Sequence, residues 1–387
     1  MLRIKAFQGL RPAPELVEEV ACVPYDVVDR EESAALAAGR PHTLLHVDRA
    51  EIDLPPETDP YSPAVYARAL ESFLALQQHG ALMRESEPCL YLYQQRMGNH
   101  VQTGVAAVCH IEDYENDIIK KHEKTRPDKE ADRTRLIGAI SADTGPVFLT
   151  YRDDARIDAL VAGTQRGAPL YDFTAPDGVG HTVWRIAGGA ALVELFKEVE
   201  CSYVADGHHR TASAVSVGRE RRAANPQHTG EEEYNWFLAV LFPANQLQIL
   251  PYNRAVHDLN GHTKDSFLAA VGNAFTLRAG GSASPTLPGE IRMYLDGAWY
   301  DLAWKPARDS DPISQLDVSA LQDLVLAPIL GIDDPRTSKR IDFIGGIRGP
   351  GELTRLVDSG KAAVAFSMFP TTVEQLIAIA EDRKSVV

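Results

Sequence analysis

The chain has 387 residues, 44% of them hydrophobic and 24% charged, and a formal net charge of −15. That length holds roughly two to three domains with sizeable cores, and the composition is that of an ordinary globular chain. The acidic balance argues against a general polyanion-binding surface, and no apolar run approaches the roughly 20 residues of a membrane span. The start, Met1-Leu2-Arg3-Ile4-Lys5-Ala6-Phe7, is charged early and lacks the apolar core of a signal peptide, so a cytoplasmic location is expected. Cys22, Cys89, Cys109 and Cys201 lie far apart with no C-x-x-C pair. They read as free thiols rather than a disulfide framework or a zinc ribbon.

In chain order, residues 1–115 read as an N-terminal α/β region. Pro24, Pro41 and the Pro55-Pro56 pair break its opening, and a helix comes next over 62–82 with Val65, Leu70, Phe73 and Leu74 partly at helical spacing. Strands over 89–93 and 103–108 flank Met97-Gly98-Asn99, a hairpin turn. Residues 116–280 read as the central segment, with a helix over 128–140, strands over 145–151, 182–186 and 202–205, and a helix over 188–199. A polar stretch over 221–234 precedes a buried strand over 236–242 and the apolar run Leu247-Gln248-Ile249-Leu250-Pro251-Tyr252-Asn253-Arg254. Ala279-Gly280-Gly281-Ser282-Ala283-Ser284-Pro285 has linker composition, and residues 281–387 read as a C-terminal α/β region. It begins with a hairpin around Asp296-Gly297, then a helix over 318–329 and then strand, helix, strand and helix. The fold class expected is mixed α/β (α+β).

Two clusters carry chemistry. Val204-Ala205-Asp206-Gly207-His208-His209-Arg210-Thr211 reads as a strand, a glycine turn and the first turn of a helix. A helix N-terminus presents free backbone N–H groups and a positive dipole end, so it suits phosphate. Gly207 allows close backbone approach, and the Arg210 guanidinium offers a planar fork for two oxygens. Upstream, residues 120–135 hold seven Lys/Arg against four Asp/Glu, a local +3 that includes Lys124, Arg126, Arg133 and Arg135 around His122, Glu123 and Thr125. A basic island in an acidic chain points to a local anionic ligand. Arg254, after an apolar strand, is a further phosphate candidate. There are twelve histidines, but adjacent His208 and His209 diverge by about 100° on a helix, and no H-E-x-x-H is present. No metal cage made by the protein alone is expected, and Mg²⁺ would be carried by a nucleotide, assisted by Asp206 or another carboxylate.

The order His122-Glu123-x-Thr125, Arg133, a helix, Gly145-Pro146-Val147-Phe148-Leu149 and Asp206-Gly207-His208-His209-Arg210 resembles the ParB/sulfiredoxin-like superfamily, and within it the free-serine kinases. That likeness covers about residues 118–220. Over nearly all its length the chain resembles the family called domain of unknown function 1015, whose other marks are Val23-Pro24-Tyr25-Asp26-Val27-Val28 and Pro251-Tyr252-Asn253-Arg254. The resemblance implies a ParB/sulfiredoxin-like core over 116–280. It also implies phosphoryl transfer from ATP, ADP or pyrophosphate with Mg²⁺ to a small hydroxyl metabolite, free L-serine giving O-phosphoserine. The donor would lie on Asp206, Gly207, His208, His209, Arg210 and Thr211, with Glu123 as base. His122, Thr125, Arg126, Arg133, Arg254, Tyr25 and Asp26 are further substrate or phosphate candidates.

Two departures stand beside the likeness. The insertion between Val147 and the phosphate loop is longer than in the compact kinases, and the chain ends Glu381-Asp382-Arg383-Lys384-Ser385-Val386-Val387 where a Pro-Lys-Ser-Thr-rich tail is expected. The alternative is a non-catalytic ParB-like nucleotide-binding or DNA-associated protein, which the −15 charge and the lack of a clear helix-turn-helix oppose. Sulfinic-acid reduction would need a thiol where the loop has His208-His209. The partner expected is a small molecule rather than a membrane or nucleic acid, and self-association is left open.

Overall fold

The computed structural model describes residues 1–122, 125–304 and 311–382. The chain divides into two compact units, Met1–Leu247 and Gln248–Val387. The fold is mixed α/β, as expected.

The strands of the first unit are β1 (Ile4–Lys5), β2 (Leu10–Pro12), β3 (Leu82–Arg84), β4 (Cys89–Met97), β5 (His100–His110), β6 (Ile119–Lys120), β7 (Val147–Tyr151), β8 (Tyr171–Thr174), β9 (Gly180–Ala187), β10 (Ser202–Asp206) and β11 (Trp236–Pro243). Its helices are α1 (Val17–Val20), α2 (Arg30–Ala37), α3 (Leu45–Asp48), α4 (Pro63–Gln78), α5 (Ile111–Glu115), α6 (Pro127–Ile140), α7 (Ala155–Gln165), α8 (Ala190–Phe196) and α9 (His208–Ala224). A nine-stranded sheet runs β6-β10-β7-β11-β5-β4-β9-β8, with β1 added against β5. The β10–β6 and β11–β7 pairs are parallel and the rest antiparallel.

Local chemistry accounts for the site helices. Pro127 begins α6, where its missing N–H costs nothing, and Ser141 ends it in the left-handed region (φ 56°). The helix α4 likewise starts at Pro63 and buries Val65, Tyr66, Ala69, Phe73 and Leu76, spaced three and four apart. These side chains share a core cluster with Leu136 and Ile140 of α6 and with Val20 and Val47, so the N-terminal segments pack onto α6. The main sheet core, with Val105, Leu149, Val204 and Leu241, is separate.

The second unit is an antiparallel sheet of six strands, β13 (Thr276–Ala279), β15 (Ala298–Ala303), β14 (Glu290–Leu295), β17 (Val364–Met368), β12 (Tyr252–Val256) and β16 (Ile341–Gly345), in that spatial order. Its helices are α10 (Lys264–Ala274), α11 (Asp317–Leu321), α12 (Gly349–Asp358) and α13 (Val373–Glu381).

Several sequence expectations shift. The divisions at 115/116 and 280/281 give way to one at 247/248, because β1, β4 and β5 hydrogen-bond into the same sheet as β7 and β11. The linker-like run after Ala279 lies within the second unit. The helix expected over 318–329 is α11 continued by a wide turn over Gln322–Leu326, since Pro328 lacks an N–H and crowds the carbonyl four residues back. The polar stretch from 221 is helical to Ala224. The thiols are free, with Cys89 and Cys109 buried and Cys22 and Cys201 partly so. No helix among the described residues is long and apolar enough to cross a membrane.

Candidate functional site

Strand order assembles the site. Strand β10 runs antiparallel to β7, so its end meets the start of β7, and parallel β11 starts at that same end. The register slips between Val204 and Asp206, leaving Ala205 unpaired opposite β7. Such a bulge bends a strand and re-aims the residues after it. Gly207 then takes φ 92°, ψ 35°, a left-handed corner, and α9 begins at His208 with no side-chain cap. Among the described residues the His209 and Arg210 N–H groups of its first turn have no acceptor and stay open to an anion. We expect Gly207→Ala to be strained by about 1–2 kcal/mol, because an L side chain pays for positive φ and a Cβ would sit 3.1 Å from Arg210 Cζ. A lowered melting temperature together with weaker phosphate binding checks it.

The side chains of the loop are mostly committed to the protein. Arg210 Nη1 donates to the Pro146 carbonyl at 2.5 Å and Nη2 to Asp206, while its Nε is buried with no hydrogen bond. The fork expected to grip two phosphate oxygens thus ties β10 to the start of β7. The Thr211 hydroxyl donates back to Gly207 O at 2.9 Å. His209 Nε2 accepts the Arg126 N–H at 3.0 Å, which places the His209 proton on Nδ1 if the ring is neutral. His208 is buried, its ring edge-on to His122 with centroids 4.5 Å apart.

Burial pushes all three imidazoles toward the neutral form: His122 down to about 4, His208 well below the usual range, and His209 downward. The two loop histidines are therefore neutral near pH 7. With its folded pKa lowered, His122 costs no stability above about pH 6.5 and progressively destabilises the fold as pH falls toward about 4. We expect His122→Asn to lose less stability than the unsubstituted protein between pH 7 and pH 4, by about 2–3 kcal/mol. Urea midpoints across that range measure it.

Tyr25, Asp26 and Arg133 gather beside the loop. The Arg133 guanidinium lies 4.1 Å from the Tyr25 ring centre, pairs with Asp132 at 2.8 Å and approaches Asp48 at 3.7 Å. Burial and the Asp26 charge push the Tyr25 phenol up to about 12, and the Asp26 charge also reaches His209. Arg126 is exposed and pairs with Asp128 at 2.9 Å; Thr125 donates to Glu130 at 2.6 Å. Glu123 lies outside the described residues. Arg254 belongs to the second unit, in mid-strand on β12, where it donates to Tyr252 O and lies 5.2 Å from the Phe343 ring centre. Burial lowers its pKa to about 10.

Sequence reading missed a small cavity open to solvent in the first unit, lined by Tyr25, Asp48, Arg133, Asp143, Thr144 and Arg210 with apolar neighbours including Leu136 and Phe237. Asp143 accepts the Leu238 N–H at 3.0 Å, and burial raises its pKa to about 6. The only signal in the sequence is an Asp two residues before Gly145-Pro146. Among the described residues no group of three or more His, Cys, Asp or Glu could hold a metal ion.

No curated protein matches the sequence. Solved structures with a similar trace include SbnI with C-terminal truncation from Staphylococcus aureus (12% identity, TM-score 0.40, covering 73% of this chain and 79% of that one). A conserved hypothetical protein from Pyrococcus furiosus (10%, 0.34, 73% and 86%) and a free serine kinase in complex with AMP (10%, 0.36, 73% and 83%) are similar at the same level. Residues 4–319 match the family described as "Protein of unknown function (DUF1015)", and the chain belongs to that family.

Proposed function

We propose that the chain is a phosphotransferase that moves a phosphoryl group from ATP, ADP or pyrophosphate to a small hydroxyl metabolite, with free L-serine, giving O-phosphoserine, the first to test. The observation that carries the reading is the start of α9 behind Gly207, which turns the His209 and Arg210 N–H groups toward an anion beside a cavity that shares Arg210 with the loop. The donor's terminal phosphates would sit on the N–H groups of His209 and Arg210, where the helix dipole and fixed donors stabilise charge without reorganising. The neutral His209 donates from Nδ1. Arg210, bound to Asp206 and Pro146, positions the loop rather than gripping the donor. Exposed Arg126 supplies cationic charge at the rim.

Mg²⁺ would arrive with the donor and neutralise phosphate oxygens. Glu123 takes the acceptor's proton in the role its motif implies. Positioning and charge stabilisation supply most of such an acceleration, so no covalent intermediate is required. The test is to incubate purified protein with Mg²⁺, each of the three donors and a panel of small hydroxyl metabolites. A phosphorylated acceptor seen by mass spectrometry supports the reading. Tight nucleotide binding with no product from any pair would favour a nucleotide-binding protein instead.

A further inference from the structure

The cavity beside the loop has a charge pattern that selects its occupant. Arg133 is satisfied by Asp132 and Asp48, and Arg210 by Asp206. Asp48 also accepts the Thr144 hydroxyl. Asp143 differs: among the described residues it has one donor, the Leu238 N–H, and no ion pair. Its carboxylate is held between two elements, the segment leading into β7 and the start of β11, and it lines the cavity among Leu136, Ile137, Val147, Ala214 and Phe237. A carboxylate in such surroundings is costly unless a cationic donor completes it.

We propose that this cavity binds the primary ammonium group of a small amino alcohol, with Asp143 as the residue that pairs with it. The naming of this ligand as the phosphoryl acceptor rests on the donor reading of the loop; the binding itself does not. The ammonium would donate to the free Asp143 oxygen, the apolar wall would cover the carbon skeleton, and the shared Arg210 edge would set the hydroxyl end toward the loop. The lining carries two carboxylates, Asp48 and Asp143, against two guanidinium groups, Arg133 and Arg210, and of the two carboxylates Asp143 is the one without an ion pair among the described residues.

Calorimetry with ethanolamine and L-serine, beside ethylene glycol and glycolate as matched molecules without an amine, tests it on the unsubstituted protein. Amine binding with no detectable binding of the other two is expected; equal binding of all four, or of none, overturns the inference. Asp143→Asn keeps the side chain's shape and an oxygen for Leu238 N–H, so it should fold and melt no lower than the parent. It is expected to lose amine affinity by about 10–100-fold, the range for a hydrogen bond to a charged group, with ADP affinity unchanged. Retained amine affinity overturns the pairing. Mg²⁺ titrated alone is a further arm: heat that disappears in Asp143→Asn would assign the carboxylate to a cation and overturn the amine. ADP binding without amine binding would end this inference alone, and amine binding without ADP binding would end the donor reading alone.

Discussion

Glu123→Gln is expected to lower phosphoryl-transfer turnover by about 10²–10⁴-fold while leaving donor affinity unchanged. Gln preserves size and hydrogen-bonding reach but cannot take a proton from a hydroxyl. A loose transition state with late deprotonation places the effect toward the low end of that range. The loop imidazoles are poor substitutes as bases: burial lowers the pKa of His122 and His208, and His209 spends Nε2 on the Arg126 N–H. Turnover measured beside a melting curve decides the point. Intact activity with a lowered melting temperature would make Glu123 a scaffold residue.

The largest stability effect is expected at Arg133. Its guanidinium is buried between Asp132, 7% exposed, and Asp48, 8% exposed, with the Tyr25 ring over it. Among the described residues, Arg133→Ala leaves two buried carboxylates hydrogen-bonded by the Tyr66 and Thr144 hydroxyls, with the Arg210 charge still acting on Asp48. Removing one partner from such a network costs about 3–5 kcal/mol, since desolvation is kept and attraction lost. The first unit should melt about 6–20 °C lower by calorimetry, at roughly 2–4 °C per kcal/mol for a unit of this size. A loss under about 1 kcal/mol would mean that water reaches the site and screens it, as at an exposed pair. Arg133→Lys is expected to fall between, because an ammonium keeps the charge but not the planar stack on Tyr25.

The strand–glycine–helix corner at Asp206–Thr211 is legible in the sequence because its signals are local: a short apolar run, a glycine at positive φ and small helix formers after it. The hairpin around Gly98 and the helix begun by Pro127 are legible for the same reason. What each side chain faces is not. The partners of Arg210, Asp206 and the Pro146 carbonyl, meet only because β10 lies antiparallel beside β7, a pairing more than fifty residues apart that no window of sequence contains. Asp143 escapes sequence reading on the same ground, since its neighbour Leu238 arrives with β11. Arg254 reads in the sequence as the end of a strand continuous with residue 247, whereas Pro251 delays the strand to Tyr252 and the unit boundary falls before it.

The central claim is that the His209 and Arg210 N–H groups at the start of α9 receive the donor's phosphates. Backbone amide spectra of the ¹⁵N-labelled protein titrated with Mg²⁺·ADP test it most directly. Saturable shifts at the His209 and Arg210 amides, lost in Gly207→Ala, are the expected result. Saturable binding that leaves those two amides unmoved would contradict it.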